Sequence, residues 1–189
     1  KYGIFLEMLG NDNIHALQLS RQGSTRLDKI ARYVLEKEPK SFREGEFRKV
    51  ICNDEMVFNG PGVNIPMISI SRFPYPEYHT SDDNPSIISE SRLNDSKNII
   101  LKITNILDSD YTPKIKVKGP IFLSGYGLWV DWRENEELNL NLEKIMLRLE
   151  GKQSIFEISE ELKMKFDVVK EFTDKLFGND LIEKLDSNQ

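Results

Sequence analysis

Residues 67–84 read MISISRFPYPEYHTSDDN. The first seven alternate apolar and hydroxyl side chains, the period-two pattern of a β-strand. The Pro- and Tyr-rich FPYPEY then rigidifies the chain, and His79 follows, one of only two histidines in 189 residues. Small hydroxyl residues, Thr80 and Ser81, come next and suit a fixed backbone. Asp82 and Asp83 lie close enough in sequence to accept from the imidazole's second nitrogen. A histidine just past a strand end is placed where α/β sheets bind ligands, outside the carboxyl ends of their strands.

Working outward, NGPGVNIP at 59–66 is a Gly/Pro turn cluster before that strand. Residues 2–9, YGIFLEML, form an apolar run broken only by Glu7, the pattern of a fully buried parallel strand. GNDN at 10–13 is a turn, and IHALQLS at 14–20 reads as a second, weaker strand. Thr25-x-x-Asp28 is a helix-start signal. Leu27, Ile30, Ala31, Val34 and Leu35 follow at helical spacing, predicting an amphipathic helix over 26–38. REGEFRKVIC at 43–52 leads into a strand or loop. Ile99, Ile100, Ile103, Ile106 and Leu107 mark a helix over 86–108. Alternating strands and helices predict an α/β fold: part of a mixed, mostly parallel sheet with crossover helices.

Beyond Pro113 the pattern changes. Short extended pieces with several glycines give way to three helical segments, near 141–150, 154–163 and 167–178, and then to LIEKL, a short strand. Ser154-x-x-Glu157 is a capping box, and Gly151 suits a helix stop. Three short helices and a terminal strand predict a small winged-helix domain. The expected organisation is therefore 1–114, a connecting segment 115–138, and 139–189.

Charge narrows the functions. The net charge is −5, whereas nucleic-acid and anionic-membrane surfaces need a basic face. Between Lys144 and Asp186 there are eight Lys/Arg against ten Asp/Glu, so the terminal module lacks the basic stripe of a DNA reader. Cys52 is the only cysteine, which excludes an internal disulfide and a cysteine zinc cluster and fits a reducing, cytoplasmic setting. No apolar run is long enough to span a membrane, and no secretory signal is visible. The chain opens at Lys1 directly on a strand-like run, which reads as a cut.

Glu7 is costly to desolvate inside a strand unless it is paired, metal-bound or at a strand end reaching solvent. His15 alternates with apolar neighbours and reads as structural. FPYPEY suits either an aromatic substrate wall or loop packing.

Taken in order, GIFLEMLG, SRQGSTRLDKIARYVL, NDEMVFNGPGVNIP and YHTSDDN resemble the di-zinc aminopeptidase family, whose relatives include glutaminyl cyclases. The narrower resemblance is to bacterial aminopeptidase-like proteins with a C-terminal winged helix, and it covers nearly the whole chain. It implies that His79 binds one zinc and Glu7 the other, where the family usually carries aspartate. It also implies supporting roles for Asp54, Tyr78 and Thr80. Zinc takes imidazole nitrogen and carboxylate oxygen at about 2.0–2.2 Å, and paired zincs about 3.5–4 Å apart activate a water against a carbonyl. By the resemblance, the remaining ligands and the general-base glutamate precede Tyr2, so no catalytic residue is expected in these 189 residues. The expected function is the C-terminal part of a zinc-dependent hydrolase of peptide or amide bonds. Its partners would be such a substrate, the N-terminal remainder of the same domain, and in some settings a second copy. The rival expectation is a non-catalytic binding protein that keeps the fold.

Overall fold

The computed structural model describes residues 1–185. Its contacts divide the chain into two compact units, Lys1–Leu107 and Asp108–Gln189.

The first unit is built on a four-stranded sheet. Its strands are β1 (Gly3–Leu6), β2 (His15–Gln18), β3 (Arg43–Gly45) and β4 (Met67–Arg72), in the order β1-β4-β2-β3. β1 runs parallel to β4 and β2 parallel to β3, while β2 and β4 are antiparallel. The sheet is thus mixed, with two parallel pairs of three.

β2 is buried throughout and β4 nearly so. The alternation of MISISR therefore marks no wet face: Ser69 and Ser71 are as buried as Ile68 and Ile70. β1 departs from the fully buried strand its composition predicts. It lies at the edge of the sheet, and Leu6 is exposed.

Helix α1 (Arg26–Glu36) starts at Thr25, whose hydroxyl accepts from the Asp28 backbone N–H while the Asp28 carboxylate accepts from the Thr25 N–H. This reciprocal cap satisfies donors that a helix start would leave unpaired. Leu27, Ile30, Ala31, Val34 and Leu35 are all buried, as their spacing predicts. A one-and-a-half-turn helix, α2 (Glu55–Asn59), is too short to leave a periodic signal. Helix α3 (Glu90–Ser109) begins four residues later than its apolar spacing suggests, because Asn84 first caps a 3-10 turn over Pro85–Ile87. Ile99, Ile103 and Ile106 form its buried stripe.

The second unit contains β5 (Thr112–Ile115), α4 (Glu136–Met146), α5 (Ile155–Glu161), α6 (Phe166–Gly178) and β6 (Ile182–Leu185). β5 and β6 pair antiparallel, with Ile115 opposite Ile182. Pairing across some seventy residues brings the Thr112–Ile115 stretch into this unit, ahead of the boundary that the change of sequence character suggests. The Ser154–Glu157 capping box is present. α4 ends at Met146, earlier than expected, and Gly151, at φ +76°, turns the chain after Glu150 bridges Lys114. On α6, Val169, Phe172 and Leu176 are buried, Val168 is partly covered and Phe177 is exposed.

Candidate functional site

β1 and β4 run in the same direction, so their carboxyl ends lie side by side. The Glu7 backbone N–H donates to the Ile70 carbonyl at 3.4 Å, extending the ladder one residue past β1. Glu7 thereby stands at the rim where β4 hands over to the loop carrying His79. A third segment, Val50–Asn53, leads into α2. Together these three stretches enclose a cavity of about 400 Å³. Glu7 and Met8 line it from β1; Ser71, Phe73, Tyr75, Tyr78 and His79 from β4 and its loop; Val50, Ile51, Cys52 and Asn53 from the third side.

The structure therefore brings Glu7, Tyr78 and His79 to one cavity. Thr80 is exposed and fixes the loop: its hydroxyl donates to the Glu77 carbonyl at 2.7 Å and accepts from the Asp82 N–H. Asp54 is exposed and does not line the cavity; its neighbour Asn53 does. Asp83 does not serve the imidazole, since it accepts from the Tyr75 hydroxyl at 2.7 Å. That bond ties the far end of the loop to its start and holds the Tyr75 phenol up to about 12. His79 instead stacks on Tyr78, ring centroids 3.9 Å apart.

Two side chains here sit on left-handed backbone, His79 at φ +60° and Met8 at φ +51°. Such conformations are uncommon outside glycine and gather at functional sites. Phe73, Tyr75 and Tyr78 of FPYPEY line one side of the cavity.

The Glu7 carboxylate is asymmetric. Its Oε2 accepts from the Asn53 side-chain amide at 2.5 Å, whereas its Oε1 is buried with no hydrogen-bond partner among the described residues. Burial, and behind it the nearby charge of Glu55, raises its pKa. An orphaned carboxylate oxygen and an imidazole on one cavity are the donor types that zinc uses. They fit in kind, but among the described residues no three His, Cys, Asp or Glu side chains stand together as a metal would require.

His15 is placed as its apolar neighbours suggest, buried with Nε2 3.0 Å from the Ser96 hydroxyl. The residues that the sequence did not single out are Gln18, Asn53 and Glu55, which form a hydrogen-bonded chain behind Glu7. The hints of it are a polar residue within the apolar run of β2 and the Asn53-Asp54-Glu55 stretch that the resemblance includes.

Residues 1–110 match a domain of unknown function, DUF4910. The chain belongs to the DUF4910 family. This DUF4910 chain is 24% identical over 194 residues to a Clostridium acetobutylicum protein provisionally named as a polysaccharide biosynthesis protein with aminopeptidase-like domain, covering 97% of this chain and 43% of that one. A crystal structure from Clostridium acetobutylicum, provisionally named a peptidase, matches with a TM-score of 0.82 at 25% identity, over 98% of this chain and 42% of that one. Both likenesses are to peptidase-like proteins. The DUF4910 chain spans less than half the length of either. Among its described residues no helix is long and apolar enough to cross a membrane.

Proposed function

We propose that this DUF4910 chain forms one side of an aminopeptidase-like hydrolase site that cleaves peptide or amide bonds, with Glu7 and His79 as ligands to two different zinc ions. The observation that carries this reading is the buried, partnerless Oε1 of Glu7 on the same cavity as His79. A desolvated carboxylate oxygen is costly unless something binds it, and a divalent cation does so directly. Bound zinc would supply polarisation of a carbonyl and a more acidic water.

The chain's own residues do the rest. Asn53 anchors one Glu7 oxygen and leaves the other available. Phe73, Tyr75 and Tyr78 offer apolar surface to a substrate side chain and exclude water from it. The missing ligands and the general base would come from the remainder of the same domain. The outer edge of β1, unpaired among the described residues, offers backbone groups on which a further strand could add. The three helices and the β5–β6 pair of the second unit suit a winged-helix module, and a free, exposed Cys52 suits a reducing cytoplasm.

The test is turnover of peptide and aryl-amide substrates by the complete protein. The proposal requires zinc-dependent hydrolysis that His79→Ala abolishes; unchanged turnover in that variant overturns it. Glu7, standing where the resemblance expects aspartate, favours the second reading, a non-catalytic binding protein. That reading predicts no zinc-dependent turnover of any amide by the complete protein.

A further inference from the structure

Two carboxylates, Glu7 and Glu55, lie within electrostatic reach of each other, and neither has an ion-pair partner among the described residues. Glu55 is fully buried. It spends its charge on two donors: Oε1 accepts from the Gln18 side-chain amide at 3.1 Å, and Oε2 from the Asn53 backbone N–H at 2.8 Å. Gln18, also fully buried, uses its own Oε1 to accept from the Val50 and Ile51 backbone N–H groups at 3.1 and 2.9 Å. The segment 50–55 is therefore pinned at three backbone amides by two core side chains. What emerges from this anchorage is the Asn53 amide, aimed at Glu7 Oε2.

We propose that Asn53 is a positioning residue, held by Glu55 and Gln18, that confines Glu7 to binding a cation through Oε1 alone. The proposal rests on the zinc reading above. A neutral donor is what the geometry needs. Lysine or arginine in its place would neutralise Glu7 and compete with a cation, whereas an amide fixes the carboxylate's rotation and leaves its charge intact. With one lone pair of Oε2 taken by the amide, binding through Oε1 alone is favoured over chelation of one ion by both oxygens. The longer glutamate side chain is thereby held to one presentation, and the orphaned state of Oε1 is the outcome.

The variant Asn53→Ala isolates the effect, because among the described residues the side chain's hydrogen bond is to Glu7, while the backbone N–H that Glu55 holds is unchanged. Asn53→Ser, whose hydroxyl ends one atom short of the amide nitrogen, is the second variant. In the complete protein, zinc affinity is measured by competition with a chromophoric chelator, and the metal-free protein is melted in parallel. Each variant is expected to lose about 10–100-fold in affinity for one zinc with the metal-free melting curve unchanged. Wild-type affinity in either folded variant overturns the positioning role. A wild type that binds no zinc sinks the zinc reading itself, which is a different result. A lowered metal-free melting temperature with affinity intact assigns Asn53 a structural role only, and also overturns the proposal.

Discussion

His15 Nε2 and Ser96 Oγ lie 3.0 Å apart, joining the start of β2 to α3 inside the first unit. Burial, with the Arg72 guanidinium adding to it and Asp95 and Glu38 opposing, holds this imidazole down to about 4 from its ordinary 6.5. The folded state therefore keeps His15 neutral where the unfolded chain protonates it. As pH falls from 6.5 towards 4, the unfolded state gains a proton that the folded state refuses, and stability drops across that window. Above 6.5 this contribution is constant. The loss is at most about 3 kcal/mol. Urea unfolding across pH 4–7 should show this slope, and His15→Gln should flatten it. A His15 ring-proton NMR shift that titrates near 6.5 would contradict the account.

Arg72 is among the largest fully buried side chains, and its fork ties the loop between β1 and β2 to the first turn of α3. Nε donates to the Leu9 carbonyl at 3.0 Å, Nη1 to Asn13 at 2.7 Å and Nη2 to Arg92 at 3.2 Å. The Asp95 carboxylate, 3.7 Å away, balances its charge. Arg72→Met keeps the apolar stem but strips these carbonyls of their donor, a loss of about 3 kcal/mol or more. Arg72→Lys should recover only part of it, since one ammonium cannot span the fork. Equilibrium unfolding of both variants checks this; a wild-type midpoint for Arg72→Met would refute it.

Asp28 gathers four donors while fully buried: Ser20 N–H and hydroxyl, each at 2.7 Å, Thr25 N–H at 2.8 Å and Thr25 hydroxyl at 2.6 Å. Asp28→Asn turns one acceptor into a donor facing donors, so about 2–3 kcal/mol of stability should go. Circular-dichroism melting reads this directly. Thr25→Ala, which leaves the carboxylate its other donors, should cost only about 1 kcal/mol.

These residues also mark how far the sequence could be read. The core of α1 was legible because five apolar residues repeat at one period and a Thr-x-x-Asp start precedes them. β4 was legible as a strand from its period of two, but the burial of its serines beside its isoleucines was not, since alternation reports residue type and not what covers it. The short extended pieces beyond Pro113 were visible, but the pairing of β5 was not, because its partner β6 lies some seventy residues away. At the site, an acid at one strand end and a histidine past another could be picked out. Which of Asn53, Asp54 and Glu55 faces Glu7 could not. That depends on how α2 turns: it leaves Asp54 outside, buries Glu55, and puts the amide of Asn53 on Glu7.

The most direct test of the central claim is native mass spectrometry of the complete protein, wild type beside Glu7→Gln and His79→Ala. The account predicts two bound zinc ions in the wild type and fewer in each variant, with folded charge-state distributions throughout. A folded wild type without zinc, or variants that keep the full complement, would contradict it.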